Sequence, residues 1–327
     1  MGRYVNMPEV KSIGGYLTIQ YVDGILMDAP FQTFKPRVNL QNLKSIGGDF
    51  QIVRNKALDS VSTGALTYIG GDIIISENDA LQRMPSLAIT EAKKISVSGN
   101  KRIEWLQIPD LKSVSTHFQV FLNERLLQVN LLSLETVGSD ATDLSHLSFS
   151  IATNAVLKTI IARKLSNVHG SFQVNNNFEL TDLKESFGAL ERITGHRAEI
   201  KNNKKMTEVY LTSLVTTATL MSSDLASELE VTDNAMLTNL YLPKLNGRPT
   251  ITGNNAELRV TLPCATANSE YGVMKLKESA KTVNFQNCPP SPPPPPPSPP
   301  LYAGVSSSSS ITTFTALVMA AILIALS

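Results

Sequence analysis

Short stretches of the chain alternate apolar and polar side chains with period two, and each such stretch ends at an asparagine. Phe50 and Ile52 alternate with polar neighbours, as do Phe118 and Val120, Phe172 and Val174, and Ala198 and Ile200. That is the pattern of a strand with one buried face. A Val or Ile stands three residues before Asn55, Asn78, Asn100, Asn123, Asn154, Asn177, Asn203, Asn234 and Asn254. The intervals between these asparagines are 23, 22, 23, 31, 23, 26, 31 and 20 residues. The unit is therefore about 25 residues long, with insertions before Asn154 and Asn234. Three residues after the Asn another apolar side chain follows: Leu58, Leu81, Ile103, Leu126, Leu157, Leu180, Met206 and Leu237, slipping by one to Leu258 in the last copy. Upstream, Leu43-Lys44-Ser45-Ile46-Gly47-Gly48 is echoed by Leu66-Thr67-Tyr68-Ile69-Gly70-Gly71, and more faintly by Val10 through Ile13-Gly14-Gly15 to Ile19.

Repetition of this kind predicts a solenoid with one strand per turn. A single turn cannot bury its apolar face, so successive turns stack, pair their strands in parallel and share one core. The expected fold is all-β dominated, a parallel β-helix of about nine or ten turns with short helical or irregular insertions, roughly 45 Å long at about 4.8 Å per turn. Gly47, Gly48, Gly70, Gly71, Gly170 and Gly195 precede strands and read as corners needing positive φ. The recurring Asn reads as a structural ladder, since Asn tolerates the left-handed region and its side chain satisfies neighbouring backbone groups. A ligand-binding row is the alternative.

Composition divides the chain. There are 29 Lys+Arg against 28 Asp+Glu in 327 residues, and this near balance gives no electrostatic case for a nucleic-acid partner. No Asp, Glu, Lys or Arg follows Lys281. The segments expected are a solenoid over 1–263, a cap over 264–288 bracketed by Cys264 and Cys288, a Pro/Ser-rich stalk over 289–310 and an apolar tail over 311–327. The stalk, with six consecutive prolines from Pro292 to Pro297, predicts polyproline II and a semi-rigid spacer. Its Ser-Pro runs resemble extensin-type cell-wall glycoproteins of plants and algae.

The apolar run from Phe314 to Leu326 falls short of the roughly 20 residues a bilayer span needs. Small residues at Ala303, Gly304 and Ser306, a Ser/Thr spacer and this short terminal tail match a glycosylphosphatidylinositol attachment signal. Gly304 is the expected attachment residue, with Ala303 and Ser306 as alternatives. The expected location is the cell surface, in the outer leaflet of the plasma membrane or the cell wall. The first residues, Met1-Gly2-Arg3-Tyr4-Val5-Asn6, show no apolar leader, so the expectation is that the N-terminus is truncated. None of the 23 asparagines lies in an Asn-x-Ser/Thr acceptor, leaving O-linked sugars on the Ser-Pro stalk and the Ser306 to Ser310 run as the expected modification.

The unit Leu-x-x-Ile-x-Gly-x-Φ-x-Ile-x-x-Asn-x-x-Leu, where Φ is apolar, shares the strand-then-Asn core of a leucine-rich repeat but differs in its spacing on both sides. It resembles the receptor L-domain from about Val10 to Leu262. That family is a leucine-rich right-handed β-helix found in insulin- and epidermal-growth-factor-type receptors and in fungal glycolipid-anchored cell-wall proteins. The tail favours the cell-wall branch. Val22 stands where the first turn should have Asn, and the copies near Asn234 and Asn254 lack the Gly corner. In an extracellular protein Cys264 and Cys288 read as a disulfide closing the C-terminal cap. Free thiols are the alternative.

No sequence cluster points to catalysis, to a metal or to a cofactor. His117 and His196 occupy corresponding positions three turns apart, and His146 and His169 sit elsewhere in the repeat. After the Asn come Lys56, Lys101, Arg102, Arg125, Lys204 and Lys205, opposed by Asp79, Glu124 and Glu179. Mixed signs read as a solvated edge, with a weak polyanion or wall-polysaccharide surface as the alternative. Trp105, the sole Trp, reads as packing rather than a sugar platform. The expected function is non-enzymatic surface display for cell-wall organisation, adhesion or capture of a protein or cell-wall polysaccharide ligand. A polysaccharide-active β-helix enzyme and an intracellular repeat scaffold are the alternatives.

Overall fold

The computed structural model describes residues 4–22, 35–64, 66–139, 147–195, 197–217, 229–246, 249–263 and 282–286. The chain divides into two units, Met1–Cys288 and Pro289–Ser327, and every described residue belongs to the first. Cys264, Cys288 and Gly304 lie outside the described residues.

The described residues form strands and turns, and no helix occurs among them. Expected helical insertions therefore have no counterpart there; of the two long intervals, residues 140–146 and 218–228 fall outside the described set. Every strand pairing among the described residues is parallel, and each joins a repeat to the next. This arrangement is compatible with a parallel β-solenoid.

A repeat contributes up to three strands, not one. Ser45–Ile46, Phe50–Val53 and Ser60–Ser62 follow one another along the chain and belong to three different sheets. The middle strands form the long sheet: Leu17–Gln20, Phe50–Val53, Asp72–Ser76, Glu91–Ser98, Ser113–Phe121, Leu147–Ala152, Ser171–Asn175, Ala198–Lys201, Leu229–Thr232 and Thr250–Thr252 pair in chain order. Register is held by like pairing with like, Phe50 beside Ile73 and Ile52 beside Ile75. The period-two pattern decides which face is buried: Phe50 and Ile52 are inaccessible, while Gln51 and Val53 are partly exposed.

Inside, the column of aromatic side chains is continuous. The rings of Phe118, Phe149 and Phe172 stack at 5.6 and 5.3 Å between centroids, and Phe187 meets the last two edge-on. Each fully buried side chain of this size contributes on the order of 1.5–3 kcal/mol, and the offset and edge-on geometries are the favoured ones for rings.

The turn after the long strand is built the same way in ten copies. The residue before each ladder position adopts positive φ: Tyr21, Arg54, Glu77, Leu122, Thr153, Asn176, Asn202 and Asp233 lie between 52° and 58°, and Gly99 and Gly253 at 63° and 64°. The left-handed residue is thus the one preceding the ladder Asn, which corrects the expectation that the Asn itself is left-handed. This bend turns the Asn side chain inward, where Asn55 through Asn234 are completely buried and Asn254 is half-buried. Val22 occupies the ladder position of the first turn and donates its N–H to Asn55 Oδ1 at 2.9 Å, so the substitution costs the ladder only a side chain at its end.

The glycine pairs also do something other than expected. Of Gly47, Gly48, Gly70, Gly71, Gly170 and Gly195, only Gly170 has positive φ. Gly47, Gly70, Gly71 and Gly195 are needed because successive turns approach too closely for a side chain: a Cβ on Gly47 would run into the Gly14 carbonyl, and one on Gly70 into the Gly47 carbonyl, while Gly48 has more room. Gly14, in the first copy, would meet nothing within 4 Å.

Candidate functional site

The ladder asparagines are all spent on each other and on backbone. Asn100 Nδ2 donates to Asn123 Oδ1 and to the carbonyl of Ile75, and its N–H donates to the same Oδ1. The pattern repeats from Asn78 to Asn254, with Asn177 reaching Asn203 through its backbone N–H. With its polar atoms buried and engaged, this row is scaffold and presents nothing to a ligand.

The outward-facing side chains lie on the arc that follows the Asn. There the third residue points in and the first two point out, because the apolar residue at the third position (Leu58, Leu81, Ile103, Leu126) is fully buried. Parallel stacking then brings equivalent outward positions of neighbouring repeats side by side. Lys101 Nζ sits 3.0 Å from Asp79 Oδ2, and Lys205 Nζ 2.7 Å from Glu179 Oε2. The hydrogen bond to Asp79, with that carboxylate's charge, pushes the Lys101 ammonium above its ordinary pKa. Lys204 Nζ lies 4.8 Å from the centre of the Phe178 ring, a cation–π placement. These residues fit the expected solvated edge of mixed sign.

Three guanidiniums depart from it. Arg83, Arg102 and Arg125 form no ion pair among the described residues, although Glu104 shares their groove. With Gln82, Glu104 and Trp105 they line a depression of about 340 Å³. Through Arg102 and Arg125 it continues into a second depression of about 370 Å³, which also touches Lys56, Asp79 and Glu124. Through Arg83 and Trp105 it continues into a third of about 500 Å³, bordered by Met84, Pro85 and Asp110. The result is an open groove crossing several repeats.

Trp105 stands in this groove. It begins the strand Trp105–Gln107, pairs with Gln128 of the next repeat, and is flanked inward by the buried Leu106. Trp105 is 43% exposed, which removes it from the core and leaves it at the edge of the sheet. Arg83 escaped the sequence reading because it lies five residues after its Asn, outside the basic cluster at the first and second positions. Superposing the copies on their asparagines would have found it, since Ser60, Trp105 and Gln128 hold the same position and face outward.

Carboxylates are otherwise occupied at the place where two stack. Asp49 Oδ1 accepts the N–H of Asp72 at 2.9 Å and Oδ2 accepts from Gln51 at 3.3 Å, so Asp49 caps the entry to the long sheet. Asp72 Oδ1 has Lys93 at 3.9 Å and accepts no hydrogen bond. His117 lies beside Lys94 in the long sheet, whereas His146 and His196 are outside the described residues. Among the described residues no group of three or more His, Cys, Asp and Glu side chains converges as a metal site would require. The chain matches no protein-family model, no curated protein and no solved structure at a significant level.

Proposed function

We propose that the chain is a non-enzymatic surface-display protein that captures a ligand on the side of a solenoid. In this reading the three parallel rows close into a right-handed β-helix of the receptor L-domain kind, the hand that parallel crossovers adopt almost without exception. A Cys264–Cys288 disulfide closes its C-terminal end, and the Pro/Ser-rich stretch 289–310 spaces it from the membrane. The tail directs a lipid anchor to Gly304.

The observation that best supports binding over cleavage is the open groove along Arg83, Arg102, Arg125 and Trp105. It offers three guanidiniums without an ion-pair partner among the described residues, and an exposed Trp105, across several repeats. A rigid wall suits display, because a solenoid offers broad lateral area while its interior is filled with side chains. Fixed strand order and register from repeat to repeat support the helical closure.

The test is expression of the tagged protein behind a working signal peptide, followed by treatment of intact cells with phosphatidylinositol-specific phospholipase C and by lipid labelling. Release or labelling that is lost when the tail is deleted is the expected result. Neither release nor labelling would overturn anchoring and location together.

A further inference from the structure

The groove built by Arg83, Arg102, Arg125 and Trp105 is specific enough to name a ligand chemistry. We infer that it is a binding site for a carboxylate-bearing polysaccharide, one whose sugar residues carry uronate groups; this deepens the ligand-capture part of the proposed function and rests on it.

Among the described residues Arg83, Arg102 and Arg125 have no carboxylate partner, whereas Lys101 and Lys205 of the same edge have theirs, so the three guanidiniums are free to meet a ligand. Arg102 and Arg125 occupy the same position of adjacent repeats, so they stand about 4.8 Å apart along the stack, about the advance of one sugar residue along an extended chain. Each presents a planar fork of donors that matches the two oxygens of a carboxylate. Arg83 lies one repeat to the other side, next to the indole of Trp105. Trp105 is 43% exposed, and its indole offers a flat apolar body to the C–H face of a pyranose, with an N–H for a hydroxyl.

The acids in the groove decide between polyanions. Glu104 lies among the three arginines, and Glu124 borders the adjoining depression. A densely phosphorylated or sulfated chain would meet these carboxylates with repulsion. A uronan has one charge per sugar and hydroxyls between, so its carboxylates meet the guanidiniums while its hydroxyls donate to Glu104 and Glu124. The groove's open form suits an extended polymer entering and leaving at both ends.

Trp105 is the sole Trp of the chain, so tryptophan emission, excited at the red edge where tyrosine does not absorb, reports on this groove. The full chain, in detergent, is titrated with oligogalacturonate at low ionic strength, with calorimetry in parallel. Expected are a saturable change in emission with matching heat, weakening with added salt, and no response to a neutral cello-oligosaccharide. The double variant Arg102→Gln with Arg125→Gln should lose affinity tenfold or more, and Arg102→Lys with Arg125→Lys should fall between, since charge survives without the fork. Both alter exposed side chains, and circular dichroism and melting should match the parent. Absence of saturable binding by both methods overturns the inference. So does an equal response to poly-glutamate, which would place the recognition in charge alone, or to the neutral oligosaccharide. Because the assay uses purified protein, it is indifferent to the anchor: phospholipase release without uronan binding removes this inference and leaves display standing, and binding without release does the reverse.

Discussion

Asn100 and Asn123 are joined twice through one atom: Asn123 Oδ1 accepts both the side-chain amide of Asn100, at 3.0 Å, and its backbone N–H, at 3.2 Å. Asn123 in turn gives its own Nδ2 to Val97 O, Phe121 O and Asn154 Oδ1. Each rung therefore ties together three repeats, and all rungs point the same way along the stack. A buried polar group left without its partner costs about 1–3 kcal/mol, and several are orphaned when one rung is removed.

Asn123→Ala is expected to destabilise the protein by about 3 kcal/mol or more, read as a lowered midpoint in urea unfolding followed by circular dichroism. Asn123→Asp should cost more at neutral pH, because it keeps the acceptor, loses the donors and buries a charge. Acidification should restore part of that difference as the carboxyl takes up a proton. A midpoint unchanged in Asn123→Ala would remove the ladder from the account of stability.

The glycine pairs separate two explanations that the sequence leaves entangled. Gly70→Ala puts a methyl against the Gly47 carbonyl, whereas Gly14→Ala meets open space, and neither position has positive φ. The first should lower stability by at least about 2 kcal/mol through backbone displacement, and the second should stay within about 0.5 kcal/mol. Thermal melting of the two variants side by side checks this. Equal losses would mean that conformational freedom, not close approach, is what these glycines supply.

Much of this architecture was legible because the long strands and the ladder carry side-chain signals of fixed spacing: Ile52, Asn55 and Leu58 announce a strand, a turn and an inward return. The other two rows were not, because strands such as Ser45–Ile46 and Gln128–Asn130 are too short to show a period. The left-handed bend was misplaced by one residue because its occupants, from Tyr21 through Arg54 and Glu77 to Leu122, share no chemistry. Gly99, Asn176, Asn202, Asp233 and Gly253 suit the left-handed region, but in the other five copies the backbone and ladder bonds on either side impose the bend on residues that do not, which blurs the signal. In the groove, Trp105 carried no periodic mark that set outward from inward, and Arg83 became visible only when the repeats were stacked.

That bend stores strain at residues poorly suited to it. Thr153 holds φ at 56° while exposed, and a β-branched side chain in the left-handed region is the least tolerated kind. Left-handed backbone costs an ordinary residue roughly 1–2 kcal/mol, and glycine escapes this at some cost in unfolded-state entropy. Thr153→Gly should therefore be neutral to stabilising by up to about 1 kcal/mol, whereas glycine at the extended Ser150 of the same strand should destabilise. A clear loss of melting temperature in Thr153→Gly would show that its side chain contributes more than the strain removes.

Alkaline pH should find a different weak point. Tyr210 is half-buried in the strand Glu208–Tyr210, its hydroxyl donating to Glu208 Oε1 at 3.3 Å and its ring meeting Tyr241 edge-on at 5.7 Å between centroids. Burial first, and then the Glu208 carboxylate, push the phenol above its ordinary pKa of 10.0, with Lys184 opposing weakly. The unfolded chain then releases this proton at lower pH than the folded one. Stability from this group is accordingly complete below about pH 10 and is lost as pH rises from there through the folded-state value. Tyr210→Phe should flatten the fall of melting temperature above about pH 10 while leaving the neutral range nearly unchanged, and ultraviolet titration should show one late-ionising phenol missing. If the alkaline fall is as steep in Tyr210→Phe as in the parent, other groups govern it and Tyr210 ionises without resistance from the fold.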